Sequence, residues 1–161
     1  MISFVVEGAA VPQARPRFSR FGNAIHTYDT KTCRDYKELV GLRAKEAMQG
    51  REPTDAPIMV MIDCRFTPPA SWPKYKREAA IRNGWQTAKN DVDNLAKSIL
   101  DGATGVIWDD DSQVVGLVVT KRYDVIAKTL VTVIEPDKNR SPIWTVAHMM
   151  RNFKFLEAGI N

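Results

Sequence analysis

The spacing of apolar positions predicts four strands. Residues 2–7 form a short apolar run, and residues 57–66 are almost continuously apolar, which is typical of a strand buried on both faces. Residues 113–124 and 129–134 predict two further strands. Because only a short segment separates them, we expect these two strands to form a hairpin around residues 124–128.

Helical periodicity predicts one long and one short helix in the first half of the chain. Asp29 or Thr30 is expected to cap a helix that runs to about Met48. Ser71 is expected to cap a short basic helix over about residues 73–82.

A second main helix is predicted to begin at Asp91 or Asp93 and to run to about Ala103, with Gly102 weakening its last turn. By contrast, residues 8–28 show neither period and predict a long loop. Loops of that length inside compact domains are usually functional or disordered.

Together these elements predict an α+β fold: a small mixed sheet of about four strands flanked by two main helices. The 161 residues suit one domain, which we place at 1–135, followed by an extension at 136–161 whose apolar spacing predicts a C-terminal helix. No apolar run approaches the roughly 18 residues that span a bilayer. The N-terminus resembles a strand rather than a signal peptide, so we expect a cytoplasmic protein with no membrane partner.

Cysteine and histidine usage indicates neither a zinc site nor histidine-based catalysis. Cys33 and Cys64 belong to no CxxC or Cys/His cluster, and we expect both to be free thiols. His26 and His148 are far apart in sequence. Nothing in the chain suggests a small-molecule cofactor.

Charge is distributed unevenly along the chain. The formal net charge is +4, and basic residues crowd the first forty positions, whereas aspartates concentrate between residues 91 and 111. A basic region beside a separate acidic cluster suits an anionic polymer together with a divalent cation.

The acidic cluster has the composition of a magnesium site. Asp91 and Asp93 lie at a predicted helix start, and residues 109–111 are three consecutive aspartates before a strand. If that strand lies beside the helix start, one of the three meets Asp91 and Asp93. Carboxylates brought together repel one another, and a divalent cation relieves the repulsion. All-oxygen ligands favour magnesium, with manganese as a substitute.

Taken alone, each part of this cluster also has a structural explanation. Asp93 can cap a helix. Lys97 and Asp101 can form an exposed pair one turn apart. The three aspartates can form an ordinary acidic turn.

The whole segment, residues 91–115, resembles the signature of the RusA family of Holliday junction resolvases. That signature reads D-x-D-N-L-x-K, a helical Asp, an aromatic residue and D-D-x-Q-V. Residues 11–22 resemble the family's basic N-terminal loop, so the resemblance covers roughly residues 1–135. The signature is met here by Asp91, Asp93, Asn94, Leu95, Lys97, Asp101, Trp108, Asp110, Asp111, Gln113 and Val114.

The resemblance implies a homodimer that binds branched DNA, namely four-way junctions, and cuts two strands symmetrically by magnesium-dependent phosphodiester hydrolysis. It implies that Asp91, Asp93 and Asp111 hold the metal and that Lys97 assists catalysis. Counting back from Gln113 selects Asp111, with Asp110 as the runner-up.

DNA contacts are predicted from cations near the basic segment and the acidic cluster, with Phe18, Phe21 or Tyr28 as candidate stacking residues. Two rival functions stay open: a junction-binding protein that does not cut, and a flap or fork nuclease with the same acidic site. The predicted DNA-binding residues are Arg15, Arg17, Arg20, Lys31, Lys89, Lys121 and Arg122.

Overall fold

The computed structural model describes residues 1–14, 17–21, 24–88, 90–137, 139 and 147, with residues 17–21 and 24–28 described by their backbone alone. The predicted helix in the 136–161 extension therefore lies almost wholly outside the described residues. In chain order the elements are β1 (Ile2–Glu7), β2 (Arg17–Phe21), β3 (Ala24–Tyr28), α1 (Lys31–Met48), β4 (Ile58–Phe66), α2 (Lys74–Asn83), α3 (Val92–Ala103), a 3-10 turn (Asp111–Gln113), β5 (Val114–Tyr123) and β6 (Lys128–Ile134).

A mixed four-stranded sheet has the order β1-β6-β4-β5, and it confirms the predicted α+β class. β4 is antiparallel to β6 and parallel to β5. The predicted β5–β6 hairpin is wrong, because β4 lies between the two strands. Their short connection crosses the end of β4, where the Asp124 amide donates to the Phe66 carbonyl at 2.9 Å.

β4 lies inside the sheet because both of its faces are buried, as the apolar run predicts. One face carries Ile58, Val60 and Ile62 into the core shared with α1 and α3. The opposite face begins with Met59 and Met61 and then becomes charged.

The charged part of that face is an internal ion network around Asp63, which is fully buried. Its carboxylate accepts hydrogen bonds from Arg65 at 2.8 Å, Arg122 at 3.1 Å and Thr120 at 2.8 Å. A buried carboxylate needs such partners, because an unpaired charge is costly away from water. The network therefore joins β4 to β5 at their carboxyl ends.

α1 and α3 cross at two glycines. A Cβ atom on Gly102 would lie 2.8 Å from the Lys37 carbonyl oxygen and 2.8 Å from the Val40 Cβ, and one on Gly41 would lie 3.0 Å from the Gly102 carbonyl oxygen. Gly102 does more than weaken the helix end, because only a residue without a side chain permits this close approach.

Local predictions had mixed outcomes. Thr30 caps α1, since its hydroxyl accepts from the Cys33 amide at 3.4 Å. The expected Ser71 cap is wrong, because Pro73 precedes α2 and makes no side-chain cap. The predicted loop over residues 8–28 is only partly confirmed, because this segment contains the β2–β3 hairpin.

Cys33 and Cys64 are both free and buried, as expected. Burial raises the pKa of the Cys64 thiol to about 12, so this side chain stays neutral. Within the described residues, no helix has the length and apolarity needed to cross a bilayer.

Candidate metal and DNA-binding site

The N-terminal end of α3 carries two of the predicted metal ligands. Asp91 is the N-cap residue in extended conformation, and Asp93 lies in the first turn. Both are exposed, and the Asp91 side chain makes no capping hydrogen bond. Among the described residues neither forms a salt bridge. Both carboxylates are therefore open to a ligand, at the helix end whose partial positive charge favours anions.

The segment before Asp91 is held in place by β5. Lys121 donates from Nζ to the carbonyl oxygens of Ala88, at 3.2 Å, and Asn90, at 2.7 Å. Asn90 adopts a left-handed backbone with φ of 76°, which Asn tolerates better than most residues. The turn into α3 is thus set by β5, and Lys121 serves as its support.

The basic N-terminal segment is anchored on the same end of α3. The Ser98 hydroxyl donates to the Val11 carbonyl at 2.6 Å, and the Gln13 amide donates to the Asn94 carbonyl at 2.8 Å. The backbone therefore advances along α3 toward the end that carries Asp93. The β2–β3 hairpin, whose β2 strand contains Arg17 and Arg20, follows directly from this anchor.

A charged clamp closes the base of that hairpin. Lys37 on α1 donates to Asp29 at 2.8 Å and to Asp101 at 2.7 Å, and the Gln13 amide group donates to Asp29 at 2.8 Å. The hydrogen bond from Lys37 lowers the pKa of Asp29 most, and the charge of Lys97 adds to this. Burial favours the neutral form of Lys37, but its two carboxylate partners raise its pKa overall. Asp101 therefore pairs with Lys37, rather than with Lys97 on its own helix.

The C-terminal end of α3 meets the acidic turn. The Thr104 hydroxyl lies 2.5 Å from an Asp111 carboxylate oxygen and 2.9 Å from the Leu100 carbonyl, and its single proton serves one acceptor at a time. The Asp110 side chain accepts from the Ser112 amide at 2.9 Å, and hydrogen bonds from the Ser112 side chain first and this amide second lower the pKa of that carboxyl. Asp110 is thus a capping residue of the turn.

Gln113 connects this turn to the loop before β4. Its side-chain oxygen accepts from the Asp109 and Asp110 amides, at 2.9 and 2.8 Å. Its side-chain nitrogen donates to the Thr54 and Ala56 carbonyls, at 2.7 and 3.0 Å. These four bonds give Gln113 a structural role. In the sequence, Gln113 is part of the signature segment that also contains the acidic residues.

The two acidic clusters lie at opposite ends of α3. A helix of 12 residues is about 18 Å long, so Asp91 and Asp93 are separated from Asp111 by roughly that distance. In the described part of the chain, no three His, Cys, Asp or Glu side chains are placed to share one metal ion. The expected meeting of all three aspartates does not occur within one chain.

The structure describes the side chains of three of the predicted DNA-binding cations, namely Lys31, Lys121 and Arg122. Lys31 is exposed at the start of α1. Lys121 and Arg122 are engaged with protein acceptors, respectively the backbone before Asp91 and the Asp63 carboxylate. Arg15 and Lys89 lie outside the described residues.

Sequence reasoning missed the roles of Gln13, Lys37 and Thr104. Each of these contacts joins residues from different elements, such as Lys37 with Asp101 on another helix. Local spacing carries no signal for such pairs. The length of the 8–28 segment and its arginines indicated a functional loop, but not the surface to which it is anchored.

Comparisons with known proteins identify relatives over most of the chain. The family model for endodeoxyribonuclease RusA matches residues 7–134. An uncharacterized protein, YqaN, from Bacillus subtilis (strain 168) is 36% identical over 127 residues, which cover 76% of this chain and 87% of YqaN. The matched region contains every described helix and both acidic clusters.

Proposed function

Because this chain belongs to the RusA endodeoxyribonuclease family, we propose that it is a magnesium-dependent, structure-specific endonuclease that resolves four-way DNA junctions by paired phosphodiester cuts. One observation carries the proposal: two exposed aspartates share the α3 end on which the basic N-terminal segment is anchored. Cations beside a carboxylate pair place a phosphodiester next to a metal site.

The residues present fit a magnesium ion in part. Asp91 and Asp93 offer oxygen ligands without competing salt bridges among the described residues, and oxygen is the ligand type that magnesium prefers. A bound magnesium ion would lower the pKa of a coordinated water and polarise the phosphodiester. Two carboxylates form an incomplete ligand set, and Asp111 of the same chain is too distant to complete it.

We propose that a second copy of the chain completes the site. In a two-fold dimer with the two α3 helices antiparallel, the C-terminal end of one helix lies beside the N-terminal end of the other. Asp111 of each subunit would then join Asp91 and Asp93 of its partner. Two such sites, related by the two-fold axis, match two symmetric cuts in a four-way junction.

Other side chains position the DNA. Lys97 is exposed one turn after Asp93 and provides a cation for the phosphate that is cut. Arg17 and Arg20 belong to the hairpin that follows the Gln13–Asn94 bond at the N-terminal end of α3, and we propose that they bind the DNA backbone beside the acidic pair. Lys121 holds the turn that presents Asp91.

The proposal is tested by cleavage of a synthetic four-way junction, with and without magnesium. We expect Asp93→Asn to lower the cleavage rate at least about 100-fold, because even indirect supports of a metal site change its affinity 10- to 100-fold. Junction binding should be preserved, since the loss of a carboxylate removes no phosphate contact. Asp35→Asn, an exposed aspartate on α1, is the matched control and should cut normally.

Substrate comparison tests the specificity. Four-way junctions, three-way junctions and flaps should be cut in that order of preference. Junction binding without metal-dependent cutting by the unmodified protein would contradict the proposal, and so would equal cutting of flaps. Binding should weaken steeply with added salt, because phosphate contacts release counterions.

A further inference from the structure

The three tryptophans in the described part of the chain have very different surroundings. Trp108 is fully buried. Trp72 packs edge-on against Tyr123, at 5.8 Å between ring centroids, and the Lys76 ammonium lies 4.2 Å from its ring centre. Trp85 is 71% exposed. The exposed indole offers a large apolar face together with a polar N–H group, and both are accessible to a ligand.

The backbone under Trp85 is fixed to the end of β5. Residue 85 forms an antiparallel bridge with Arg122. On either side of it, the Tyr123 amide donates to the Gly84 carbonyl at 2.5 Å and the Gln86 amide donates to the Lys121 carbonyl at 3.3 Å. The next side chain, Gln86, is buried. The extended segment therefore directs one side chain inward and holds the indole outward on a rigid support.

This support also connects Trp85 to the acidic pair. Lys121, next to the bridge partner Arg122, donates to the carbonyl of Asn90, the residue before Asp91. Trp85 precedes Asp91 by six positions, so their Cα atoms are at most about 20 Å apart. Nucleotides of one strand are spaced about 3.4 Å apart, so the indole reaches DNA within about six nucleotides of the acidic pair.

We propose that Trp85 is a stacking site for an unpaired nucleobase at the branch point of the DNA; this rests on the proposed junction-resolving function. A base released from its stack at a crossover exposes an aromatic face, and an indole on a rigid support covers that face whatever the base. The neighbouring Lys121 favours a polyanion over an apolar protein surface as the occupant, because its ammonium is bonded to two neutral carbonyl oxygens and keeps its charge, whereas Arg122 is paired with Asp63.

The test measures binding in EDTA, where no cutting occurs, so that its result is independent of nuclease activity. The ligands are a four-way junction, a linear duplex with the same arm sequence, and a single-stranded oligonucleotide, all at one salt concentration. Trp85→Ala is compared with Trp85→Phe and with Tyr75→Ala, which removes an equally exposed aromatic side chain, 74% exposed, from α2.

We expect Trp85→Ala to weaken junction and single-strand binding about tenfold, with less than about a twofold change for duplex. Trp85→Phe should retain most of the affinity, and Tyr75→Ala should bind like the unmodified protein. A 2-aminopurine at the branch point should be quenched on binding the unmodified protein and less so on binding Trp85→Ala.

Three results would overturn the stacking site. The first is unchanged junction and single-strand affinity for Trp85→Ala. The second is an equal loss for duplex, which would indicate a general backbone contact. The third is a change in sedimentation from dimer to monomer, which would place Trp85 in a protein interface. A protein that cuts no junction, yet loses single-strand affinity through Trp85→Ala, would contradict the proposed function and support the stacking site.

Discussion

The two ends of α3 present the same residue type in opposite situations. At the N-terminal end, Asp91 and Asp93 are exposed, and Asp91 makes no capping bond. At the C-terminal end, the Asp110 carboxylate caps the 3-10 turn and Asp111 contacts Thr104. Carboxylates that satisfy local donors stabilise a turn, whereas carboxylates left without local partners are open to a metal ion.

The N-terminal end of α3 keeps its shape although its two carboxylates are open. Its backbone is supported from outside the helix, by Lys121 on β5 and by Gln13 in the N-terminal segment. Neither support uses the acidic side chains. The backbone that carries the acidic pair is therefore held by groups other than the two carboxylates.

The largest expected effect comes from mixing two inactive variants, Asp93→Asn and Asp111→Asn. If each site takes Asp91 and Asp93 from one subunit and Asp111 from the other, a mixed dimer has one doubly damaged site and one intact site. Random exchange makes about half of the dimers mixed, so about a quarter of the sites recover. Each mixed dimer should nick one strand without the paired second cut.

The readout is nicking of a labelled junction after the subunits are unfolded and refolded together. Each variant refolded alone is the control and should remain at least about 100-fold slower than the unmodified protein. No recovery on mixing would contradict the shared site. It would mean that Asp111 serves the structure of its own chain alone.

A smaller effect is expected where α3 packs on α1. Gly102→Ala should destabilise the fold by about 1–3 kcal/mol, because its methyl group would lie 2.8 Å from the Lys37 carbonyl oxygen. Gly41→Ala should cost less, since its methyl group meets one oxygen at 3.0 Å. Urea unfolding followed by circular dichroism measures both free energies.

Leu42→Ala is the matched control on the exposed side of α1, and it should stay within about 0.5 kcal/mol of the unmodified protein. An unchanged unfolding free energy for Gly102→Ala would show that α1 and α3 can separate without loss. It would also remove the contrast between a packed C-terminal end and an open N-terminal end.

The smallest effect concerns the Lys37 clamp, which joins Asp29 to Asp101 in the last turn of α3. The pKa of Asp29 is lowered in the folded protein, mainly by Lys37. Its contribution to stability is therefore fully present above the unfolded pKa of 3.8 and is lost as pH falls through the folded pKa. Asp29→Asn should destabilise the protein by about 1 kcal/mol at pH 7, and the difference should shrink below pH 3.8.

Unfolding free energies of both proteins across this pH range test the clamp. Glu38→Gln, an exposed carboxylate on α1, should show no comparable pH-dependent difference. A difference for Asp29→Asn that does not depend on pH would mean that the clamp acts through neutral hydrogen bonds, such as the one from Gln13, and not through charge.

Much of the local structure was predictable because it depends on residues close in sequence. The strand at β4, the α1 cap at Thr30 and the start of α3 near Asp91 follow from apolar spacing and capping preference. The β5–β6 hairpin was mispredicted because sequence adjacency favours direct pairing. The burial of β4 on both faces instead places it between those two strands.

The sequence by itself determined the acidic pair at the start of a helix, the separation of basic and acidic segments, and the family signature over residues 91–115. Only the tertiary structure decided that the two acidic clusters lie about 18 Å apart, because a rigid helix of 12 residues joins them. It also decided which polar groups are already bonded, such as Asp110, and which are open, such as Asp91. Where the bond joins two elements, as between Lys37 on α1 and Asp101 on α3, no local pattern encodes it.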